Sequence, residues 1–352
     1  MTIGAALLVG ATIVIIGACF LLVLAVVAVR ARRHSRLQRD EMLLSPLRPL
    51  LITVASGEDD DGSAAEELTW ATGVSRTLLD RNIVEMLTKI RGVPAEQLVH
   101  VLEVHGAVGA AVEDMSSRST VRRARAAQLL GLARAGHTVP LLIEALGDES
   151  VEVRNSAAYA LGLIGDPAAA GPVLAAIGAP ERGLPAATAA EALQSMGVGI
   201  SEVLRDGLAD ANARTRMVAA HLSGERSFTR GLPELRQLLD ADPDLTVRET
   251  SAAAIGRLGR GEDVGILVRH TTGSEPLSLR RACVLALGEL GEAEAIPALT
   301  LLLDDSDPRL AELAATALLS MGADGRDALE GHEHDPAVRT ARLLASLQRA
   351  SA

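Results

Sequence analysis

The chain has 352 residues, of which 48% are hydrophobic but only 1% are aromatic. Its 34 basic residues are outnumbered by 45 acidic ones, so that the net charge is -11. An acidic chain with so few aromatic side chains is poorly suited to neutralising phosphates or stacking on bases, and we expect no nucleic-acid partner. The two cysteines, Cys19 and Cys283, lie far apart in apolar runs and indicate neither a disulfide framework nor a thiolate metal site.

The first thirty residues contain the longest apolar segment. Ile3 to Val29 carries no charge, and these 27 residues would form roughly 40 Å of helix, enough to cross a bilayer. Basic residues follow from Arg30 to Arg39, so the positive-inside rule predicts a single-pass anchor in the plasma (inner) membrane, N-out and C-in. The open alternatives are a signal or lipoprotein peptide, which would want a basic start and a shorter apolar stretch, and a buried soluble helix.

The segment after the anchor is predicted to connect it to a helical domain. Arg30 to Leu47 resembles a basic helix at the level of the lipid headgroups, and Ser56 to Glu67 is acidic, rich in Gly and Ser, and predicted to be an exposed loop or linker. From Ser75 onwards the pattern is helical, with short turns and no β-rich segment. The predicted divisions are therefore an anchor (1–30), a juxtamembrane segment and linker (31–74), N-terminal capping helices (75–117) and repeats with a C-terminal cap (118–352).

A unit of about 31 residues recurs from residue 118 onwards, which is typical of stacked repeat architectures. A column of mostly glycine marks it, with the members Gly131, Gly162, Gln194, Gly224, Gly256, Gly288, Leu319 and Leu347. Eight residues before the marker most units carry arginine, and five before it all but the last carry a small residue, among them Cys283. Small side chains let neighbouring helices approach closely. The last unit has Arg342 in this column, which suggests a polar cap.

The pattern D-x5-R-x2-AA-x-AL-G, followed by a Pro-led apolar helix, resembles HEAT repeats, particularly the bacterial group named for phycobilin lyases. The resemblance implies an all-α fold, a right-handed α-solenoid of helix pairs, here preceded by one transmembrane helix. It also implies a hydrogen-bonded ladder between turn aspartates and helix arginines. The matching pairs are Asp148 with Arg154, Asp210 with Arg216, and Asp242 with Arg248. Pro180 and Ala186 replace both residues in one unit, and Ala311 replaces the arginine in another, so the ladder should be interrupted there.

Motifs for enzymatic chemistry are nearly absent. The chain has no phosphate-binding loop, nucleophile elbow, zincin motif or paired-cysteine spacing. The run from His332 to Asp335 is interpreted as a solvated turn, and His100 and His105 as packing residues. We therefore predict no catalytic residue, no metal and no cofactor. The alternative is an enzyme of HEAT-like fold, either bilin lyase-like or a metal-dependent hydroxylase, although the latter resemblance would call for more than one His-Glu pair.

One face of the first helix of each unit varies while the buried columns repeat. Positions seven and three before the marker share this face, on the side opposite the core. We call it the partner-binding stripe; its members are Asn155, Tyr159, Glu191, Met217, His221, Glu249, Arg281 and Glu312. The expected function is that of a membrane-tethered cytoplasmic scaffold or adaptor, non-catalytic, which binds a protein or peptide in a concave groove. The expected partner is a protein, and a membrane enzyme would suit such an adaptor.

Overall fold

The computed structural model describes residues 20–22, 24, 27, 30 and 38–351. All regular secondary structure in these residues is helical. The chain divides into two compact units, Met1–Glu113 and Asp114–Ala352.

The predicted membrane anchor lies mostly outside the described residues. Within the part of the chain that the structure describes, no helix combines the length and the apolar character needed to cross a bilayer. The structure therefore gives no support to the anchor, which stays a prediction from the sequence.

The first unit is built from short helices around an aliphatic core. After a helical segment at residues 38–44, its helices are α1 (Arg48–Ser56), α2 (Ser63–Thr69), α3 (Gly73–Leu87), α4 (Val93–Val104) and α5 (Ala107–Asp114). The core side chains that are fully inaccessible to solvent are Val54, Leu68, Leu79, Ile83, Leu98, Val101 and Leu102.

The acidic stretch Ser56 to Glu67 differs from the exposed linker predicted for it. Its Asp59 is only 4% exposed, and the two carboxylate oxygens accept hydrogen bonds of 2.9 Å from the main-chain N–H groups of Ala64 and Ala65. These bonds satisfy donors in the first turn of α2, which would otherwise have no partner. The helix then buries both alanines and Leu68. The prediction was wrong because one acidic residue of the run caps a helix instead of facing solvent.

The second unit alternates long and short helices. The long ones are α6 (Thr120–Leu132), α8 (Val151–Ile164), α10 (Ala186–Ser195), α12 (Ala213–Glu225), α14 (Leu245–Leu258), α16 (Leu277–Leu290), α18 (Pro308–Ser320) and α20 (Pro336–Ser351). The short ones are α7 (Val139–Ala145), α9 (Ala170–Ile177), α11 (Ser201–Leu208), α13 (Leu232–Ala241), α15 (Val264–Arg269), α17 (Ile296–Leu301) and α19 (Gly322–Asp327). Each long helix packs against the long helices before and after it, so that stability is a sum of neighbour contacts.

The small residues of the repeat lie where long helices meet. A Cβ atom at Gly162 would be 2.9 Å from the Cα of Ala192 in the next long helix, so only glycine fits at this separation. Cys283 occupies an alanine position and is fully buried, and this burial raises the pKa of its thiol to about 12. It is thus a protonated packing residue, in agreement with the sequence interpretation.

The last helix exposes apolar side chains rather than the polar surface expected of a cap. Leu343 is 60% exposed, Leu344 46% and Leu347 58%. Arg342 is exposed as well, so that polar and apolar groups alternate on this surface.

Candidate functional site

Arginines of the long helices tie successive repeats together. The Arg216 guanidinium donates from Nε and Nη2 to the two carboxylate oxygens of Asp242, over 2.7 and 2.8 Å. Its Nη1 donates to the main-chain oxygens of Asp210 and Ala211, both at 2.9 Å. A single side chain therefore hydrogen-bonds to the turn before its own helix and binds the next repeat through a bidentate, charge-assisted pair.

The same geometry recurs along the unit. Arg123 forms a bidentate pair with Asp148, over 2.8 and 2.9 Å, and Arg280 pairs with Asp305. The carboxylates are thus bound by the arginine of the preceding repeat. Within a repeat the arginine reaches only main chain: Arg154 Nη1 donates to the carbonyl of Asp148 over 2.9 Å. Two of the three pairs proposed from the sequence, Asp148 with Arg154 and Asp210 with Arg216, are therefore connected through the backbone of the aspartate and not through its carboxylate. In the third, Arg248 donates from Nε to the carbonyl of Leu239 instead of to Asp242.

A different network closes the ladder between α14 and α16, where Ser274 occupies the aspartate position. Arg248 donates to Glu275 over 2.9 Å, and both residues approach Nδ1 of His270. The other ring nitrogen of His270 lies 2.7 Å from an oxygen of Asp240. Arg248 of α14, Asp240 of α13 and two residues of the turn after α15, His270 and Glu275, thus take the place of the single pair found elsewhere.

The ladder is interrupted on both sides of α10. Arg154 is 7% exposed, but its next-repeat partner position is Pro180, and its Nε is buried without a hydrogen bond. One repeat later, Ala186 supplies no guanidinium to Asp210, whose carboxylate accepts from the main chain of Asn212 over 2.7 Å.

A cleft of about 720 Å³ opens beside the first interruption. Its walls come from the ends of α7 and α9 and from the turn that contains Pro180: Leu146, Gly147, Ala175, Ala176, Ala179, Pro180, Glu181 and Arg182.

All eight residues of the partner-binding stripe lie on the surface of the second unit, and none is buried. Tyr159 is 36% exposed, and Asn155, one turn before it, has a side-chain oxygen that is buried without a hydrogen bond. Arg281 is held by Asp307 of the next repeat over 2.9 Å, and Glu312 accepts from Arg309 over 2.9 Å. Glu191, Met217, His221 and Glu249 complete the face.

Two exposed apolar residues of the same helical position were missed. Leu285 is 51% exposed and stands three residues before Gly288, as Tyr159 does before Gly162. Leu344 holds the corresponding place in α20. The repeat spacing alone could have identified both, because it places them in the same column as Tyr159 and His221.

The histidines show no shared site. Among the described residues, no three His, Cys, Asp or Glu side chains come together in a way that could hold a metal ion. In the turn before α20, the Asp335 carboxylate accepts from the main chain of Ala337 over 2.9 Å, which caps that helix. His105 is buried and lies 2.5 Å from Asp80, whereas His100 is exposed and does not pack as expected.

Comparison with known proteins identifies one sequence family. The model of the HEAT repeats matches residues 110–194, 201–277 and 266–347. No curated protein is detectably similar in sequence to the chain.

The chain is also similar, at low sequence identity, to several solved structures. Kap95p, in its complex with RanGDP, is 14% identical, with a TM-score of 0.53 over 87% of this chain and 46% of that chain. The CpcE–CpcF phycocyanin lyase complex of Nostoc is 21% identical, with a TM-score of 0.34 over 66% and 94% of the two chains. Human deoxyhypusine hydroxylase is 18% identical, with a TM-score of 0.30 over 86% and 96%. Such identities concern the fold alone.

Proposed function

This chain belongs to the HEAT-repeat family, and on that premise we propose that it is a non-catalytic scaffold or adaptor which binds a protein or a peptide through the partner-binding stripe. HEAT repeats present long helical surfaces suited to such contacts. The all-α repeat unit on which the proposal rests is supported by both the structure and the family match.

The observation that carries this proposal is the contrast between two faces of the same helices. The buried face repeats arginine, alanine and glycine, which the ladder and the close packing explain. The stripe changes from repeat to repeat and includes exposed Tyr159, and the exposed Leu285 lies in the same column of the repeat. Aromatic and large apolar side chains on an otherwise polar surface are common in protein interfaces.

The stripe can be tested by affinity capture with the full chain. We expect Tyr159→Ala to weaken binding of the recovered partner about tenfold, as for an interface anchor. Glu191→Lys with Glu249→Lys should lower its recovery as well, because both charges are reversed. The matched controls are Glu144→Lys and Glu294→Lys, which reverse exposed charges outside the stripe. Equal recovery with all variants would contradict the assignment.

We further propose that residues 1–30 tether the scaffold to the plasma membrane, with the repeats in the cytoplasm. The support is the uncharged run from Ile3 to Val29 and the cluster of arginines that follows it. Protease added to intact spheroplasts should leave the repeats uncut, and they should become sensitive only after lysis. Digestion of the repeats before lysis would refute the C-in topology. Release of the chain from isolated membranes by a high-salt wash would refute the anchor.

A further inference from the structure

Two features that hold neighbouring repeats together are missing between α10 and α12. The first is close helix packing: of the neighbouring long helices in the second unit, this pair is the most loosely packed. The marker of α10 is Gln194 and not glycine, and Leu222 occupies the facing position, where other repeats carry an alanine such as Ala192 or Ala254. Both positions therefore carry larger side chains than in the closely packed pairs of long helices.

The second missing feature is the ladder. Ala186 cannot reach Asp210, so no arginine connects α10 to the turn before α12. In its place Arg226, just after the end of α12, donates to the main-chain oxygens of Gln194 and Gly197. This contact ties one end of the helices only, and the Nε of Arg226 is buried without a partner.

The chain crosses between the two sides through the turn at residues 196–200, where Gly197 has a φ of 80° that favours glycine.

We propose that the α10–α12 step is a hinge, about which the repeats up to α10 and the repeats from α11 onwards change their relative orientation. Local motion concentrates where buried contacts are few and where a short connection absorbs the change in backbone angles. The partner-binding stripe crosses this step, with Glu191 on one side and Met217 on the other. Bending would therefore change the distance between its two halves.

Electron-spin distance measurements on the full chain in detergent test the hinge. One pair of labels, Ala175→Cys and Gln237→Cys, is two repeats apart across the step. The control pair, Gln237→Cys and Leu301→Cys, is two repeats apart without crossing it. All labelled sites are exposed, and Cys19→Ala and Cys283→Ala remove the native thiols. We expect a broader distance distribution for the pair that crosses the step; equal widths would overturn the proposal.

Restoring the ladder provides the second arm. The Asp210 carboxylate accepts from the main chain two residues on, as Asp148 and Asp242 do, so it is oriented to receive an arginine. Ala186→Arg should narrow the distance distribution of the label pair that crosses the step, towards the width seen for the control pair. Ala187→Arg adds the same side chain one position away and should leave it broad. Narrowing by both variants, or by neither while circular dichroism shows a folded chain, would also overturn the proposal.

Discussion

Replacing Arg216 by alanine should destabilise the repeat unit by about 3 kcal/mol or more, because it leaves a buried carboxylate without its partner. The Asp242 side chain is only 3% exposed and that of Arg216 only 11%, so both partners are largely withdrawn from water in the intact pair. The same substitution also frees two main-chain carbonyls in the preceding turn. Denaturant unfolding of the full chain, followed by circular dichroism, measures the loss.

Arg309→Ala is the matched control. Arg309 forms an ion pair with Glu312 on one helix, but its side chain is 58% exposed. We expect Arg309→Ala to lower the free energy of unfolding by less than about 1 kcal/mol, as for other surface ion pairs. Similar losses for the two variants would show that the ladder contributes no more than a surface ion pair.

The pH dependence should distinguish the carboxylate contribution. Burial alone would raise the pKa of Asp242, but the hydrogen bonds from Arg216 and from the main chain of Asp244 bring this pKa below its usual value. Its contribution to stability is therefore fully present above about pH 4 and is lost as the pH falls through the lowered pKa. Asp242→Asn should cost stability at pH 7 and progressively less as the pH falls through that range. A constant difference would contradict this account.

A single methyl group at Gly256 should cost about 1–3 kcal/mol, the range observed for overpacking. Its Cβ would lie 2.7 Å from the Cα of Ala286 and 2.9 Å from the carbonyl oxygen of that residue, and backbone cannot move aside as a flexible side chain can. The helices α14 and α16 would have to separate. Thermal or denaturant unfolding of Gly256→Ala measures the effect.

Gly265 is the control for this substitution. It lies in α15, and a Cβ there would meet nothing within 4 Å. Because alanine is a better helix former than glycine, Gly265→Ala should be neutral or stabilising by up to about 1 kcal/mol. If both variants were equally stable, close packing would not be the reason for the glycine column.

The sequence was sufficient to predict the helical repeats because their columns are spaced by the geometry of stacking. It also identified Cys283 as an alanine substitute. The ladder partners were harder: the aspartate six residues before an arginine and the aspartate about 25 residues after it are equally present in the pattern. Only three-dimensional packing shows that the carboxylate of Asp148 binds Arg123.

Other features depend on details that no repeat encodes. The helix after Asp59 is short, and its capping residue sits in a run of identical acidic residues, so composition suggested solvent exposure. The network around His270 replaces an arginine–aspartate pair of the ladder. Its residues stand at positions that do not recur from repeat to repeat. Leu285, by contrast, lies in the same column as Tyr159, so the spacing of the repeat is sufficient to place it on this face.

The ladder gives the array a direction. Where the ladder is intact, the arginine donates to a carboxylate of the C-terminal neighbour, and the aspartate accepts from the arginine of the repeat before it. A repeat is therefore not interchangeable with any other: Asp242 requires an arginine-bearing repeat before it, and Arg280 requires an aspartate-bearing repeat after it. Shuffling, deletion or duplication of repeats would preserve these buried ion pairs only where each repeat that carries the arginine is followed by a repeat that carries the aspartate.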